Sequence, residues 1–163
     1  MRTTLSYAIT PSLSAGLEWN PIGDDVRPIA NWRAIDETEH RPALIFGTSS
    51  DRIGTSTGNA FTAVFAKDFE GWTGLPVSPY AGLYYGTQDD DFDVIGGLMI
   101  RYGEDWSTYH MWDGRNFHNM LERWFESGHT LGLLLVELDD RFSVGISWSY
   151  NFAMPWEKDA SAP

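Results

Sequence analysis

The sequence contains no cysteine, which excludes disulfide bonds, thiolate metal ligands and cysteine nucleophiles. Lysine is also scarce, because Lys67 and Lys158 are the two in the whole chain. Acidic residues outnumber basic residues by 23 to 11, and the formal net charge is -12. Binding to nucleic-acid phosphates or to anionic lipid headgroups needs clustered Lys and Arg. The charge balance therefore argues against a basic docking surface, and we expect no nucleic acid among the partners.

Long apolar runs are absent as well. The longest one, 131–136, is far shorter than the roughly 20 residues that a transmembrane helix needs. The N-terminus also lacks the charged, apolar and small-residue sections of a secretory signal peptide. We therefore expect either a cytosolic protein or one whose leader is not in this chain. The length of 163 residues suits one domain, and we expect a single β-barrel domain over 1–152 followed by a flexible tail over 153–163.

What the chain does have is strict alternation with a period of two. In the segment 141–152 (RFSVGISWSYNF) every second residue is large and apolar, and the residues between them are mostly small or polar. Side chains alternate across a strand, so this pattern predicts a strand with one apolar face. The apolar residues of this segment are Phe142, Val144, Ile146, Trp148, Tyr150 and Phe152.

Similar segments recur along the chain with turn residues between them. A first hairpin, 4–19, turns at Thr10, Pro11 and Ser12. Further predicted strands are 27–35, 42–48, 60–68, 79–87, 92–102, 105–112 and 129–138. This regular spacing predicts an all-β fold, an antiparallel up-and-down β-barrel of about 10–12 strands.

The segment 115–126 (RNFHNMLERWFE) fits two secondary structures. Its large apolar residues fall on one helical face, with Asp113 placed to cap the start and Gly128 to follow the end. The same residues also fit a strand that pairs with 129–138. We favour the strand and keep a short helix as the alternative.

Alternation alone does not decide which face of the sheet is buried. A soluble β-protein buries its apolar face, whereas a membrane barrel turns that face to lipid and keeps small or polar residues inside. Three features favour the membrane barrel: the polar faces of the clearest strands carry Ser and Gly, aromatic residues lie near strand ends, and acidic residues concentrate between strands. We therefore expect the apolar row of 142–152 to face lipid.

Two segments resemble bacterial outer-membrane β-barrel proteins. The hairpin 7–19 (YAITPSLSAGLEW) is similar to their short-turn hairpins, and 142–152, which ends in an aromatic residue after alternation, is similar to their closing strand. The resemblance implies an outer-membrane location, the lipid bilayer as a partner, and recognition of the terminal aromatic Phe152 by the barrel-assembly machinery. Soluble periplasmic and cytoplasmic locations are the alternatives.

The chain departs from that family in three respects, of which the first is that no leader peptide is present. Residues 153–163 follow Phe152, whereas the family ends at its aromatic residue. The strand count is also unusual, since counting 115–126 as a strand gives about eleven and single-chain bacterial barrels usually have an even number. With eleven strands, one further strand before Met1 would make the number even. Counting that segment as loop or helix gives about ten strands but places both chain ends on the outer side.

Charged residues on the predicted inner faces are candidates for lining the lumen. In a narrow barrel such residues pair and plug the lumen, or they line a pore. They are Glu18, Arg33, Arg101, Glu137 and Arg141. His110, Asp113 and His118 are candidates for the barrel rim, but their spacing matches no metal-binding or catalytic motif. We predict no catalytic residue, no metal and no cofactor.

The sequence thus favours an outer-membrane β-barrel with a structural role, or with limited pore or ligand passage, and without catalysis. The alternative is a soluble calycin-like barrel whose aromatic face lines a cavity for an apolar small molecule. A third hypothesis is a membrane-embedded hydrolase or acyltransferase that uses His110, Asp113 and His118 at the rim. The solute and the oligomeric state are left open.

Overall fold

The computed structural model describes residues 2–21, 23–52, 55, 57–138 and 141–152. These residues form eleven strands and one short helix. In chain order the elements are β1 Thr3–Thr10, β2 Leu13–Asn20, β3 Asp25–Ile35, β4 Ala43–Ser50, β5 Asn59–Ala66, α1 Glu70–Thr73, β6 Val77–Gly86, β7 Asp91–Tyr102, β8 Trp106–Trp112, β9 Phe117–Trp124, β10 His129–Leu138 and β11 Arg141–Tyr150. The predicted tail, 153–163, lies outside the described residues.

The eleven strands form one sheet, and each strand pairs with its neighbours in sequence. Every pairing is antiparallel. This confirms the all-β, antiparallel, up-and-down architecture. Meander connections of this kind need only short turns, which the acidic and Gly-containing segments between the predicted strands supply.

The ambiguous segment is a strand, β9, and not a helix. Leu121 pairs with Leu133 of β10, and Met120 pairs with Leu134. These two apolar residues therefore point to opposite faces of the sheet instead of sharing one helical face. Gly128, which could have ended a helix, has a φ of 83° and lies in the turn between β9 and β10. The alternation of the segment decides its structure.

The connection between β5 and β6 contains a short helix, α1, where the sequence indicated only a turn. The helix has four residues and ends at Gly74, whose φ of 73° is in the left-handed region that glycine adopts without strain. Among the described residues, no helix has the length and the apolar character needed to cross a membrane.

The sheet is open in the structure. β1 and β11 are its two edges, and no ladder joins them among the described residues. Consecutive strands of a meander alternate in direction, and eleven is an odd number, so β1 and β11 run in the same direction. Direct closure would therefore need a parallel pair, unlike the ten antiparallel pairs present.

One face of the sheet is apolar and exposed, and we call it the outward face. Its residues lie in continuous rows across the strands, and one row runs Leu13, Trp32, Phe46, Ala63, Leu83 and Val94. Exposure is greatest on the edge strands, where Ile146 is 83% and Leu5 is 72% exposed. The alternation therefore places large apolar side chains on the surface and not in a core.

The opposite face, the inner face, carries small and polar side chains together with larger ones such as Tyr84, Ile95 and Met111. Glycine is required at several of its positions, such as Gly16 and Gly82, by the close approach of a neighbouring strand. A Cβ atom at Gly16 would lie 2.0 Å from the carbonyl oxygen of Leu5, and one at Gly82 would lie 2.2 Å from that of Ala63. Small residues on this face thus allow the strands to coil tightly around it.

The turns lie at two ends of the sheet. The Pro11 end carries the connections 11–12, 36–42, 67–76, 103–105 and 125–128. The Arg52 end carries 21–24, 51–58, 87–90 and 113–116, and β1 and β11 both begin there. This division matters for function because the buried charges gather at the Arg52 end.

Candidate functional site: a buried polar cluster at the Arg52 end

The loop between β4 and β5 turns its first two residues inward. Asp51 is 2% and Arg52 is 7% exposed. The Asp51 carboxylate accepts hydrogen bonds from the Arg52 amide at 2.8 Å, from the Gln88 amide at 3.1 Å and from the Tyr84 hydroxyl. Arg2 donates to the carbonyl oxygens of Asp51 and Arg52 at 2.8 and 2.7 Å. The loop is therefore fastened to strands on both of its sides.

The Arg52 guanidinium reaches across the inner face from β4 to β7 and β8. It forms an ion pair with Asp93, lies 3.7 Å from Asp89 and donates to the carbonyl oxygen of Asp113 at 3.1 Å. It also lies over the Tyr84 ring, 4.4 Å from the ring centroid. A buried cation is tolerated only when it is paired and hydrogen-bonded, and these contacts meet that condition. We call Arg52 and these partners the Arg52 plug.

Beside the plug, Asp113 and His118 form a hydrogen-bonded pair. The Asp113 carboxylate lies 2.8 Å from His118 Nε2 and also accepts from the amides of Arg115 and Asn116, at 2.9 and 2.8 Å. Burial alone would raise the pKa of Asp113, but the hydrogen bonds from His118 and the two amides outweigh it and hold that pKa below its usual value. The carboxylate is thus ionised and can only accept hydrogen bonds.

The ionised carboxylate determines which nitrogen of the His118 ring carries the proton toward it. Because Asp113 can only accept, Nε2 of His118 must donate, and Nδ1 of the neutral ring is an acceptor. Nδ1 is buried and has no hydrogen-bond partner among the described residues. Among the described residues, neither ring nitrogen is hydrogen-bonded to a hydroxyl group, which differs from the histidine of a Ser-His-Asp arrangement.

A pocket of about 230 Å³ lies between the plug and the pair on the inner face. Its walls are mostly apolar and aromatic, and they include Ala60, Tyr80, Tyr84, Ile95, Met111 and Trp112. Arg52, Asp113 and His118 supply part of the polar lining. Within the described ranges, no three His, Cys, Asp or Glu side chains are arranged to hold a metal ion. The pocket can therefore accommodate a small molecule through apolar contact and one or two hydrogen bonds.

The residues singled out for the lumen do not come together. Glu18 is buried at the Arg52 end, 3.7 Å from Arg2. Arg101 lies at the Pro11 end and pairs with Asp68 at 2.9 Å, and the hydrogen bond from Arg101 lowers the pKa of Asp68. The structure thus holds separate ion pairs at the two ends.

The three remaining lumen candidates are on the surface or near a strand end. Arg33 is exposed and pairs with Asp36 at 2.7 Å. Arg141 begins β11 on the face of Ser143 and is exposed. Glu137 differs from the prediction, because the alternation of β10 places it on the outward face with Leu133 and Leu135. It is the last outward position before the turn, where a carboxylate reaches water.

The rim candidates divide between the two faces of the sheet. Asp113 and His118 meet at the pocket, whereas His110 is exposed on the outward face and its Nδ1 lies 2.7 Å from Asn119 Oδ1. The six residues predicted to face lipid lie in β11 or directly after it, and all of them are exposed. They are Phe142 at 67%, Val144 at 73%, Ile146 at 83%, Trp148 at 64%, Tyr150 at 39% and Phe152 at 66%.

Sequence reasoning missed the residues that build the plug. Asp51 and Arg52 lie in a segment, SSDRIGTSTGN, that has the composition of an ordinary solvated turn. The sequence contains one indirect signal. Asp93 shares a face of β7 with Ile95, so it is an acidic residue on the inner face, where a carboxylate is expected to pair with a cation. Nothing in the sequence indicated that the cation would come from the loop after β4.

Comparison of the chain with protein-family models, with curated protein sequences and with solved structures found no match.

Proposed function

We propose that this chain is a small outer-membrane β-barrel protein with a structural role, or with limited passage of a small solute or ligand. The observation that carries the proposal is the outward face, to which every one of the eleven strands contributes exposed large apolar residues. Soluble monomers rarely expose contiguous apolar patches larger than a few hundred Å². Lipid is the environment in which such a surface is stable.

The arrangement of aromatic residues supports the same proposal. Tyr102, Trp106 and Trp148 lie on the outward face near the Pro11 end, and Phe117 and Phe142 lie near the Arg52 end. From Phe142 to Trp148 the strand rises about 20 Å at ~3.3 Å per residue. A tilt of about 40° reduces this to roughly 15 Å, which fits within the ~25 Å apolar band of membrane barrels. Aromatic side chains would then lie toward both lipid–water interfaces.

A membrane location requires that the two open edges be paired. Lipid offers no hydrogen-bonding groups, so each unpaired backbone group in it costs several kcal/mol. A single strand running opposite to β1 and β11 would pair with both and complete twelve antiparallel strands. That strand would come from outside the described residues. The exposure of inner-face residues on the edge strands, such as Thr4 and Ser143, is in keeping with a missing neighbour.

The inner face argues for restricted passage and against catalysis. The Arg52 plug spans from β4 to β8, and its ion pairs occupy the space through which a solute would pass at that end. The pair of Asp113 and His118 has no hydroxyl nucleophile within hydrogen-bonding distance among the described residues. A soluble calycin-like protein would turn its aromatic rows into a cavity, whereas the rows here are exposed. Recognition of Phe152 by the barrel-assembly machinery belongs to the same proposal.

The test is folding in the presence and absence of a bilayer. The unfolded chain should acquire its full β-sheet circular dichroism and protection from protease on dilution into phospholipid vesicles, and it should aggregate in buffer alone. Outer-membrane fractionation of cells that express the chain is the second measurement. A monodisperse folded monomer in plain buffer, unchanged by detergent or vesicles, would remove the membrane proposal.

A further inference from the structure

We propose that the pocket beside His118 is a binding site for a small uncharged single-ring molecule that carries one O–H or N–H donor. The site is built from the side chain of His118, which is 3% exposed, and from the apolar and aromatic walls contributed by β5 to β8. His118 Nδ1 is a buried acceptor without a partner among the described residues. A buried polar atom of this kind is rare in folded proteins and calls for a partner.

The size and the walls of the pocket define the class of ligand. Its volume is about 230 Å³, whereas an apolar cavity of about 150 Å³ is known to accept benzene. The pocket therefore has room for one ring and a small substituent, but not for a fused ring system with a long chain. Tyr80 and Tyr84 provide aromatic surfaces, and Ile95 and Met111 provide aliphatic ones. Such walls favour a ring over a polar solute.

The hydrogen bonds already present define the polarity of the ligand. Asp113 accepts three hydrogen bonds, and its partner Nε2 is thereby committed to donating. In a neutral imidazole with its proton on Nε2, Nδ1 is an acceptor, so the ligand must supply the donor. The charged groups that line the pocket already have partners. Arg52 pairs with Asp93, and Arg2 pairs with Glu18. The Asp51 and Asp113 carboxylates each accept three hydrogen bonds. A net charge on the ligand would have no counter-ion, and an uncharged ligand fits.

This inference goes beyond the proposed function and does not depend on it. The pocket lies on the inner face, and the outward face, whether in lipid or not, does not contribute to it. Binding is therefore measured on the full chain in detergent, and its failure would leave the membrane proposal intact. Failure of the chain to enter vesicles would in turn leave the pocket unaffected.

The probe is phenol, and anisole is its matched partner because it has the same ring and oxygen without the donor. The chain has five methionines, and ¹³C-methyl labelling makes each a local reporter by NMR. Titration with phenol should shift the Met111 methyl signal in a saturable manner, because Met111 lines the pocket. Met99, which lies outside the pocket lining, should not follow the same saturation curve. Anisole should bind about three- to tenfold more weakly, the effect of one hydrogen bond.

Two variants test the contribution of the hydrogen bond separately from that of the apolar cavity. His118→Phe should weaken phenol binding by about three- to tenfold and leave anisole binding unchanged. His110→Phe is the matched control, because His110 is on the outward face, and it should change neither affinity. Equal affinities of phenol and anisole for the unmodified chain would overturn the proposal even if His118→Phe fails to fold. Absence of a saturable Met111 shift would also overturn it and indicate a pocket filled by water alone.

Discussion

A charged residue introduced at mid-strand on the outward face provides the sharpest test of whether this face contacts lipid or water. Ile146 is 83% exposed and is the sixth of the ten residues of β11. In a soluble protein an exposed substitution such as Ile146→Arg changes the free energy of unfolding by about 0.5 kcal/mol or less. On the lipid face of a barrel the same change costs about 2–4 kcal/mol at the midplane and about 0–1 kcal/mol near an interface. The two environments thus predict different magnitudes.

The matched control is Phe142→Arg on the same strand and the same face. Phe142 is 67% exposed and lies four residues from Ile146. Four residues correspond to about 13 Å along a strand, and a tilt of about 40° leaves roughly 10 Å along the membrane normal, close to half of the ~25 Å apolar band. Phe142 should therefore lie near an interface when Ile146 lies near the midplane.

The assay is urea unfolding in phospholipid vesicles, followed by tryptophan fluorescence. We expect Ile146→Arg to lower the free energy of unfolding by about 2–4 kcal/mol and Phe142→Arg to lower it by at most ~1 kcal/mol. Equal and small effects of both variants would refute the assignment of this face to lipid. A large effect of Phe142→Arg alone would refute the depth that the strand geometry assigns.

Three further predictions concern the inner face. Gly82→Ala should lower the free energy of unfolding by about 1–3 kcal/mol in the same assay, because its Cβ would lie 2.2 Å from a backbone oxygen; Gly71→Ala, with no atom within 4 Å, should not lower it. Arg52→Ala should cost about 1.5–3 kcal/mol because it removes the charge-assisted hydrogen bonds of a buried guanidinium and leaves the partly buried Asp93 carboxylate without its cation, whereas Arg115→Ala, at a half-exposed pair, should cost less than ~1 kcal/mol; similar losses would contradict the burial of Arg52. Asp113 has a pKa below the usual 3.8 in the folded state, so its contribution to stability is present above that value and is lost as the pH falls through its folded pKa. Asp113→Asn should flatten the dependence of unfolding on pH below about 4, and an unchanged dependence would contradict the lowered pKa.

The sequence was sufficient for the architecture because one physical signal dominates it. In β11, as in the first hairpin, every second residue is apolar, and this pattern is compatible with only one type of secondary structure. The same rule resolved β9, where the pairing of Leu121 with Leu133 shows the alternation prevailing over helical spacing. Glu137 is the exception to the prediction and not to the rule, because the same period, followed to the end of β10, places position 137 on the outward face with Leu133 and Leu135.

The candidate site could be predicted only in part because it depends on contacts between distant loops. Asp113 and His118 are five residues apart, and their meeting across a tight turn is within reach of sequence reasoning. Arg52 and Asp93 are 41 residues apart, and two intervening strands bring them together. No periodicity records such a contact. Closure of the sheet is likewise a property of edges, which alternation within a strand does not determine.

The tryptophans on the outward face are intrinsic fluorescent probes of the proposed insertion into a bilayer. Trp19 and Trp148 are 44% and 64% exposed and lie toward opposite ends of the sheet. Lipids brominated at a chosen carbon of the acyl chain quench indole emission only at short range. A series of such lipids would therefore report insertion depth without any attached dye, and single Trp→Phe replacements would assign each quenching profile to one end.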